Sequence, residues 1–162
     1  MDAVTFQAEA MKVQCLLWRV SWSILGNNDD CADAVQEALM RAWQHKETMR
    51  NIKSFRPWLT RILTNVCNDM LRQKLRGRVV SLEDTEEPAE EKEMTDPLSL
   101  QEAIDGLSPE QRTVMVLYYL EGATVSEIAD MLDLSPGTVK SRMTYARRKL
   151  RQFLDDEGRA QS

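Results

Sequence analysis

Apolar residues recur at spacings of three and four along most of the chain, and no stretch shows the period-two alternation of a half-buried strand. The longest apolar run, VQCLLWRVSWSIL at 13–25, carries Arg19 in its middle and is too short to cross a bilayer, so it predicts an amphipathic helix. Gly26 suits the residue just past a helix end, and Asp29 or Asp30 can cap a second helix with Val35, Ala38, Leu39, Ala42 and Trp43 on its apolar stripe. A further helix is expected from about Ser54, with Pro57 in its first turn and Trp58, Leu59, Ile62, Leu63, Val66, Met70 and Leu71 facing the core. Phe55 also reads as core. On the opposite face Arg61, Asn65, Asn68, Asp69 and Arg72 form a polar stripe rich in amide and guanidinium donors, where an ordinary solvated face would carry more Glu and Lys.

The second half of the chain is punctuated more explicitly. Ser108-Pro109-Glu110-Gln111 reads as a capping box with proline at the first helical position, opening a helix through Leu120 that Gly122 can end. Thr124 and Glu127 form a second capping box and open a short helix through Leu132. Ser135-Pro136 starts a third helix, running to about Leu154, with Val139, Met143, Ala146 and Leu150 inward and Lys140, Ser141, Thr144, Tyr145, Arg148 and Arg151 outward. Two helices joined by Asp133-Leu134-Ser135, with small Ala129 at their crossing, make a helix-turn-helix. Asp133 stands where glycine is usual, so a left-handed backbone there would carry some cost.

Between these halves lies VVSLEDTEEPAEEKEMTDP, dense in carboxylates and interrupted by Pro88 and Pro97. Such a segment cannot bury enough apolar area to offset its ordering entropy, so residues 79–97 read as a flexible acidic linker. The chain thus predicts an all-α protein of two small helical domains, 1–78 and 98–156, with a tail at 157–162. The net charge of −5 is unevenly spread: +4 over residues 1–78, −9 over 79–106 and zero over 107–162. The basic segment 134–153, with six Lys or Arg and no acid, belongs to the helix-turn-helix.

Three cysteines, Cys15, Cys31 and Cys67, lie far apart without a CxxC pair, and each is expected to be a small buried hydrophobe. His45, the single histidine, is expected at the surface near a helix end. Neither a metal site, nor a cofactor motif, nor a nucleophile–base constellation is visible, so the sequence does not read as an enzyme. The first residues show no export signal, which predicts a cytoplasmic protein with no membrane insertion.

Three segments together resemble an extracytoplasmic-function (ECF) sigma factor of bacterial RNA polymerase. DDCADAVQEALMRAW at 29–43 is similar to the region-two helix of that family, and FRPWLTRILTNVCNDMLR at 55–72 to its melting helix. LSPEQRTVMVLYYLEGATVSEIADMLDLSPGTVKSRMTYARRKL at 107–150 is similar to its region four. The resemblance implies a core-polymerase surface at Asp33, Gln36, Glu37 and Trp43, fitted to the clamp coiled coil, with the polymerase flap as a further partner. It implies a −10 element surface at Lys53, Arg56, Arg61, Asn65, Asp69 and Arg72. Thr60 stands where the family usually has an aromatic residue. The −35 element would meet Lys140, Ser141, Arg142, Thr144, Tyr145 and Arg148.

The chemistry suits these roles. An acidic, hydrogen-bonding helix face fits arginines on a partner helix. A recognition helix presents its first turns to base edges and later cations to phosphates. An opened strand needs guanidinium and amide groups to read extruded bases. Promoter DNA and core RNA polymerase are therefore the expected partners, together with an anti-sigma protein. A LuxR-type regulator would share the helix-turn-helix but would not need the two upstream segments, and an adaptor that does not read DNA would not need the polar and basic stripes.

Overall fold

The structure, a computed structural model, describes residues 1–81 and 99–160, with side chains described over 1–77 and 99–151. Helix α1 (Ala3–Lys12) precedes α2 (Gln14–Leu25), α3 (Asn28–Gln44) and the long α4 (Phe55–Ser81), with two single 3-10 turns between α3 and α4. These make the first module. The second contains α5 (Leu100–Asp105), α6 (Pro109–Met115), a π-helical segment (Val116–Leu120), α7 (Val125–Leu132) and α8 (Pro136–Ala160). All regular structure among the described residues is helical, as the spacing of apolar residues predicts.

Local chemistry explains most of the helix ends. Asp2 caps α1 by accepting from the Thr5 N–H at 2.7 Å, an element that the apolar pattern alone does not announce. Gly26 takes a left-handed φ of 75° and closes α2. Helix α3 begins earlier than expected: Asn27, rather than Asp29 or Asp30, is the cap, its side-chain oxygen accepting from the Asp30 N–H at 2.9 Å. The two aspartates then fall in the first turn, where carboxylates favour the positive end of the helix. Asp30 also accepts from the Asn27 amide and pairs with Lys74, and those bonds lower its pKa below the usual carboxylate value.

In the second module, Ser108 caps α6 by accepting from the Gln111 N–H, but the reciprocal half of the expected box is missing. The Gln111 side-chain oxygen is instead buried without a hydrogen-bond partner. The Thr124–Glu127 box is complete, each side chain bonding the other residue's N–H. Asp133 adopts φ 54° and ψ 50°, the left-handed turn expected between α7 and α8.

Leu17, Val20, Leu59, Leu63 and Val66 fill the core of the first module with Ala34, Ala38 and Ala42 of α3, whose small side chains let α2 and α4 pack closely. Phe55 is buried and meets Phe6 edge-on, while Trp58 is half-buried beside it. Thr60 is fully buried and donates its hydroxyl to the Arg56 carbonyl, so it is part of the core. Ile128, Met131, Val139, Met143, Ala146 and Leu150 form the core of the helix-turn-helix. Two of the three cysteines match expectation; Cys15 does not, being exposed on α2. His45 is exposed at the end of α3.

The modules pack together along α2, α4, α6 and α7. The 79–97 linker lies mostly outside the described residues; where the two overlap, α4 continues to Ser81. Likewise α8 runs to Ala160, into the segment read as a tail. No helix among the described residues is long and apolar enough to cross a membrane.

Candidate nucleic-acid and polymerase interfaces

On α8, Lys140, Ser141, Thr144, Tyr145 and Arg148 are all exposed and line one shallow cavity of about 340 Å³. Burial of Val139, Met143 and Ala146 on the other side fixes this face outward. Lys149 sits over the Tyr145 ring at 5.3 Å, which holds the phenol against the helix. Arg142, expected with this group, is turned elsewhere: it is partly buried and reaches toward Glu110 of α6 at 4.0 Å. Arg147, which its place on α8 puts among the cations nearer the phosphates, donates from Nε to the Tyr119 hydroxyl at 2.9 Å and lies over both Tyr118 and Tyr119. Its partners are on the π-helical segment, so sequence spacing along α8 gave no sign of the pairing.

Along α4, Arg61, Asn65, Asn68 and Arg72 are exposed in one row, with Asp69 beside them and hydrogen-bonded to Arg72. Lys53 is exposed just before the helix, and its N–H is held by the Asn51 side chain at 2.8 Å. The row is not wholly free. Arg61 donates to Asp133 at 2.6 Å, and Arg56 donates to the Glu121 carbonyl at 2.6 Å. Thr64 donates to the Met131 carbonyl at 3.2 Å. A cleft of about 680 Å³ remains beside these contacts, bordered by Asn65, Asn68 and Arg72 on α4 and by Leu132, Leu134 and Arg142 across from them.

The third face is on α3. Asp33 and Gln36 are exposed, and Glu37 is tied to Arg41 one turn on at 2.9 Å. Trp43 remains 38% exposed although Phe6 meets its ring edge-on and Lys46 lies 3.3 Å above it. Gln36 also borders an apolar groove of about 580 Å³ between α2 and α3, where Cys15 and Trp18 face Val35 and Leu39. The amphipathic pattern of α2 does not announce that groove, because Cys15 is expected to be buried and periodicity alone does not say which apolar positions a neighbouring helix covers.

Residues 11–77 match the family model "Sigma-70 region 2", and residues 103–152 match "Sigma-70, region 4". SigL, an ECF RNA polymerase sigma factor of Mycobacterium tuberculosis, is 36% identical over 150 residues, spanning 88% of this chain and 85% of the relative. This chain belongs to the ECF sigma factors. SigV of Bacillus subtilis, an RNA polymerase sigma factor, is 31% identical over 156 residues, 92% of this chain and 94% of the relative. Among solved structures, the sigma factor RpoE in complex with the anti-sigma factor NepR from Bartonella quintana superposes with a TM-score of 0.72. That match has 28% identity and covers 93% of this chain and 97% of RpoE. CnrH in complex with the cytosolic domain of CnrY gives 0.66 at 25% identity, covering 96% and 90%. The ECF sigma factor described here therefore directs promoter recognition by RNA polymerase, as an initiation factor rather than an enzyme.

Proposed function

We propose that the three exposed faces divide the work of initiation. The α8 face reads the −35 element in the major groove, with Lys140, Ser141 and Thr144 toward base edges and Tyr145 and Arg148 toward the backbone. The α4 row, with Lys53 and Arg56 ahead of it, captures the nontemplate strand of the −10 element, its amides and guanidinium groups reading bases as they leave the stack. Asp33, Gln36, Glu37 and Trp43 hold the clamp coiled coil of core polymerase. Two weak DNA contacts carried on one polymerase reinforce each other, so neither module needs high affinity alone.

The observation that carries this reading is the composition of the α8 cavity. Its whole lining consists of five side chains that can donate to or pack against DNA, with no carboxylate among them. Runoff transcription with core polymerase over a genomic fragment library tests it. Lys140→Glu with Arg148→Glu should reduce initiation by ten-fold or more, at about 1–3 kcal/mol for each lost contact, and unchanged initiation would refute the groove assignment. Asp33→Arg with Glu37→Arg should abolish binding to core while circular dichroism keeps its helical signal; retained affinity would remove the clamp role from α3.

An anti-sigma protein is proposed as a further partner. Support comes from RpoE and CnrH, both solved in complex with another protein, an anti-sigma factor in the case of RpoE. The protein acts wherever core polymerase is found, which agrees with a cytoplasmic location.

A further inference from the structure

Arg147 is held differently from Arg19, Arg41, Arg61 and Arg72, each of which pairs with a carboxylate. Among the described residues no carboxylate pairs with Arg147. It donates from Nε to the Tyr119 hydroxyl at 2.9 Å, and its guanidinium carbon lies 5.5 Å and 5.7 Å from the ring centres of Tyr118 and Tyr119. The two rings meet each other edge-on at 5.0 Å and so form one aromatic corner. Both belong to the π-helical segment, a backbone geometry found frequently at functional positions.

A carboxylate would neutralise the arginine while holding it. A phenol and two ring faces fix the side chain and leave its charge whole. Because the bond uses Nε, the two terminal nitrogens remain to donate, and together they present a fork that matches two oxygens of a phosphate. Arg147 stays exposed in spite of its contacts. It stands seven residues after Lys140 and three after Thr144, so the three share one side of α8, and the exposed Arg151 continues the row a turn further on.

We infer that Tyr118 and Tyr119 are positioning residues for DNA binding: they hold Arg147 at the border of the α8 face, where its free edge takes a phosphate of the duplex whose bases Lys140 and Thr144 meet. The inference rests on the −35 reading of α8 given above and extends it to a segment outside the helix-turn-helix. A phosphate contact carries no base preference, so its signature is the salt dependence of binding to any duplex.

The test uses the full chain with Tyr119→Phe, which removes the hydroxyl and keeps both rings. Fluorescence anisotropy with a random-sequence duplex, followed from about 0.02 to about 0.2 M sodium chloride, gives both affinity and salt slope. Arg147→Gln should make the slope shallower by about 0.9, the effect of losing one phosphate contact. Tyr119→Phe should weaken binding about two- to ten-fold, the range of one net hydrogen bond, with a slope between those of the wild type and Arg147→Gln. Added to Arg147→Gln, it should change neither quantity further, and circular dichroism should show unchanged helicity throughout. A bond that only steadied the fold would lower the urea midpoint of Tyr119→Phe and leave affinity and slope in place, which overturns the inference. An equal loss from Tyr119→Phe with and without Arg147 overturns it as well. Lys140→Glu with Arg148→Glu, measured in parallel, separates the two levels. If that variant loses duplex binding while Tyr119→Phe keeps it, the positioning role alone falls. If the wild type binds no duplex, or the double variant binds as well as the wild type, the α8 reading falls and the positioning role with it.

Discussion

At the scale of single residues, burial decides what each polar or reactive side chain can do. Cys67 lies in the core of the first module, where desolvation, with Cys31 nearby, pushes its thiol up to about 12. At pH 8 only about one such thiol in ten thousand is ionised. Burial also raises the Cys31 thiol, an effect that its hydrogen bonds oppose. Cys15 is exposed in the groove between α2 and α3. Iodoacetamide at pH 8 should therefore modify Cys15 on the native protein and reach Cys31 and Cys67 only after denaturant is added, which peptide mass spectrometry reads directly. Periodicity does not distinguish these three, since each falls on or near an apolar helical stripe and the side of the helix that meets solvent depends on neighbours remote in sequence. The charged and amide positions were easier to read. Arg61, Asn65 and Arg72 are exposed as their spacing predicts, and only the acceptor that meets Arg61 lay beyond reach, because Asp133 is 72 residues away in sequence.

At the scale of elements, the second module was the more legible because its helix ends are written in local chemistry. Thr124 and Glu127 need only each other and the backbone between them, and Asp133 needs only a backbone conformation that aspartate tolerates. Thr124→Ala should remove the cap of α7 and lower unfolding stability by about 1 kcal/mol, measured by urea titration, while Thr124→Ser should change it little. The misreadings at helix ends have equally local causes. Asn27 competed with two following aspartates for the cap of α3 and won by position. Gln111 occupies the right place for a reciprocal bond, but its side chain is drawn inward. The π-helical segment at Val116–Leu120 has no sequence signature comparable to a cap, so periodicity predicts an unbroken helix there; the segment carries Tyr118 and Tyr119, the two rings under Arg147.

At the scale of the whole molecule, two helical modules follow from pattern, but their mutual packing, which joins their buried residues in one apolar cluster, does not. Inspection of either half alone gives no reason to pair Ser23 with Thr113 or Arg56 with the Glu121 carbonyl. The seam mixes two kinds of contact that respond differently to the medium. Arg61–Asp133 and Arg19–Glu121 are partly open to solvent and should weaken as salt rises, whereas the Ser23–Thr113 pair is sheltered. Raising sodium chloride from about 0.05 to about 0.5 M, which shortens the screening length to less than half, should increase the radius of gyration of the free chain. A Glu121→Gln, Asp133→Asn variant, which lacks both carboxylates, should show a smaller increase.

Arg112 gives the seam one further property. Its burial lowers the guanidinium pKa from the usual arginine value, and its hydrogen bonds end on the main-chain oxygens of Ser23 and Asp105 rather than on a carboxylate. Main-chain oxygens survive any substitution that preserves the helix. A hybrid protein that joins this amino-terminal half to another member's carboxy-terminal half should therefore still find its Arg112 anchor, provided an arginine stands there. The acids at 121 and 133, which depend on matched side chains, would then determine how firmly such a chimera closes.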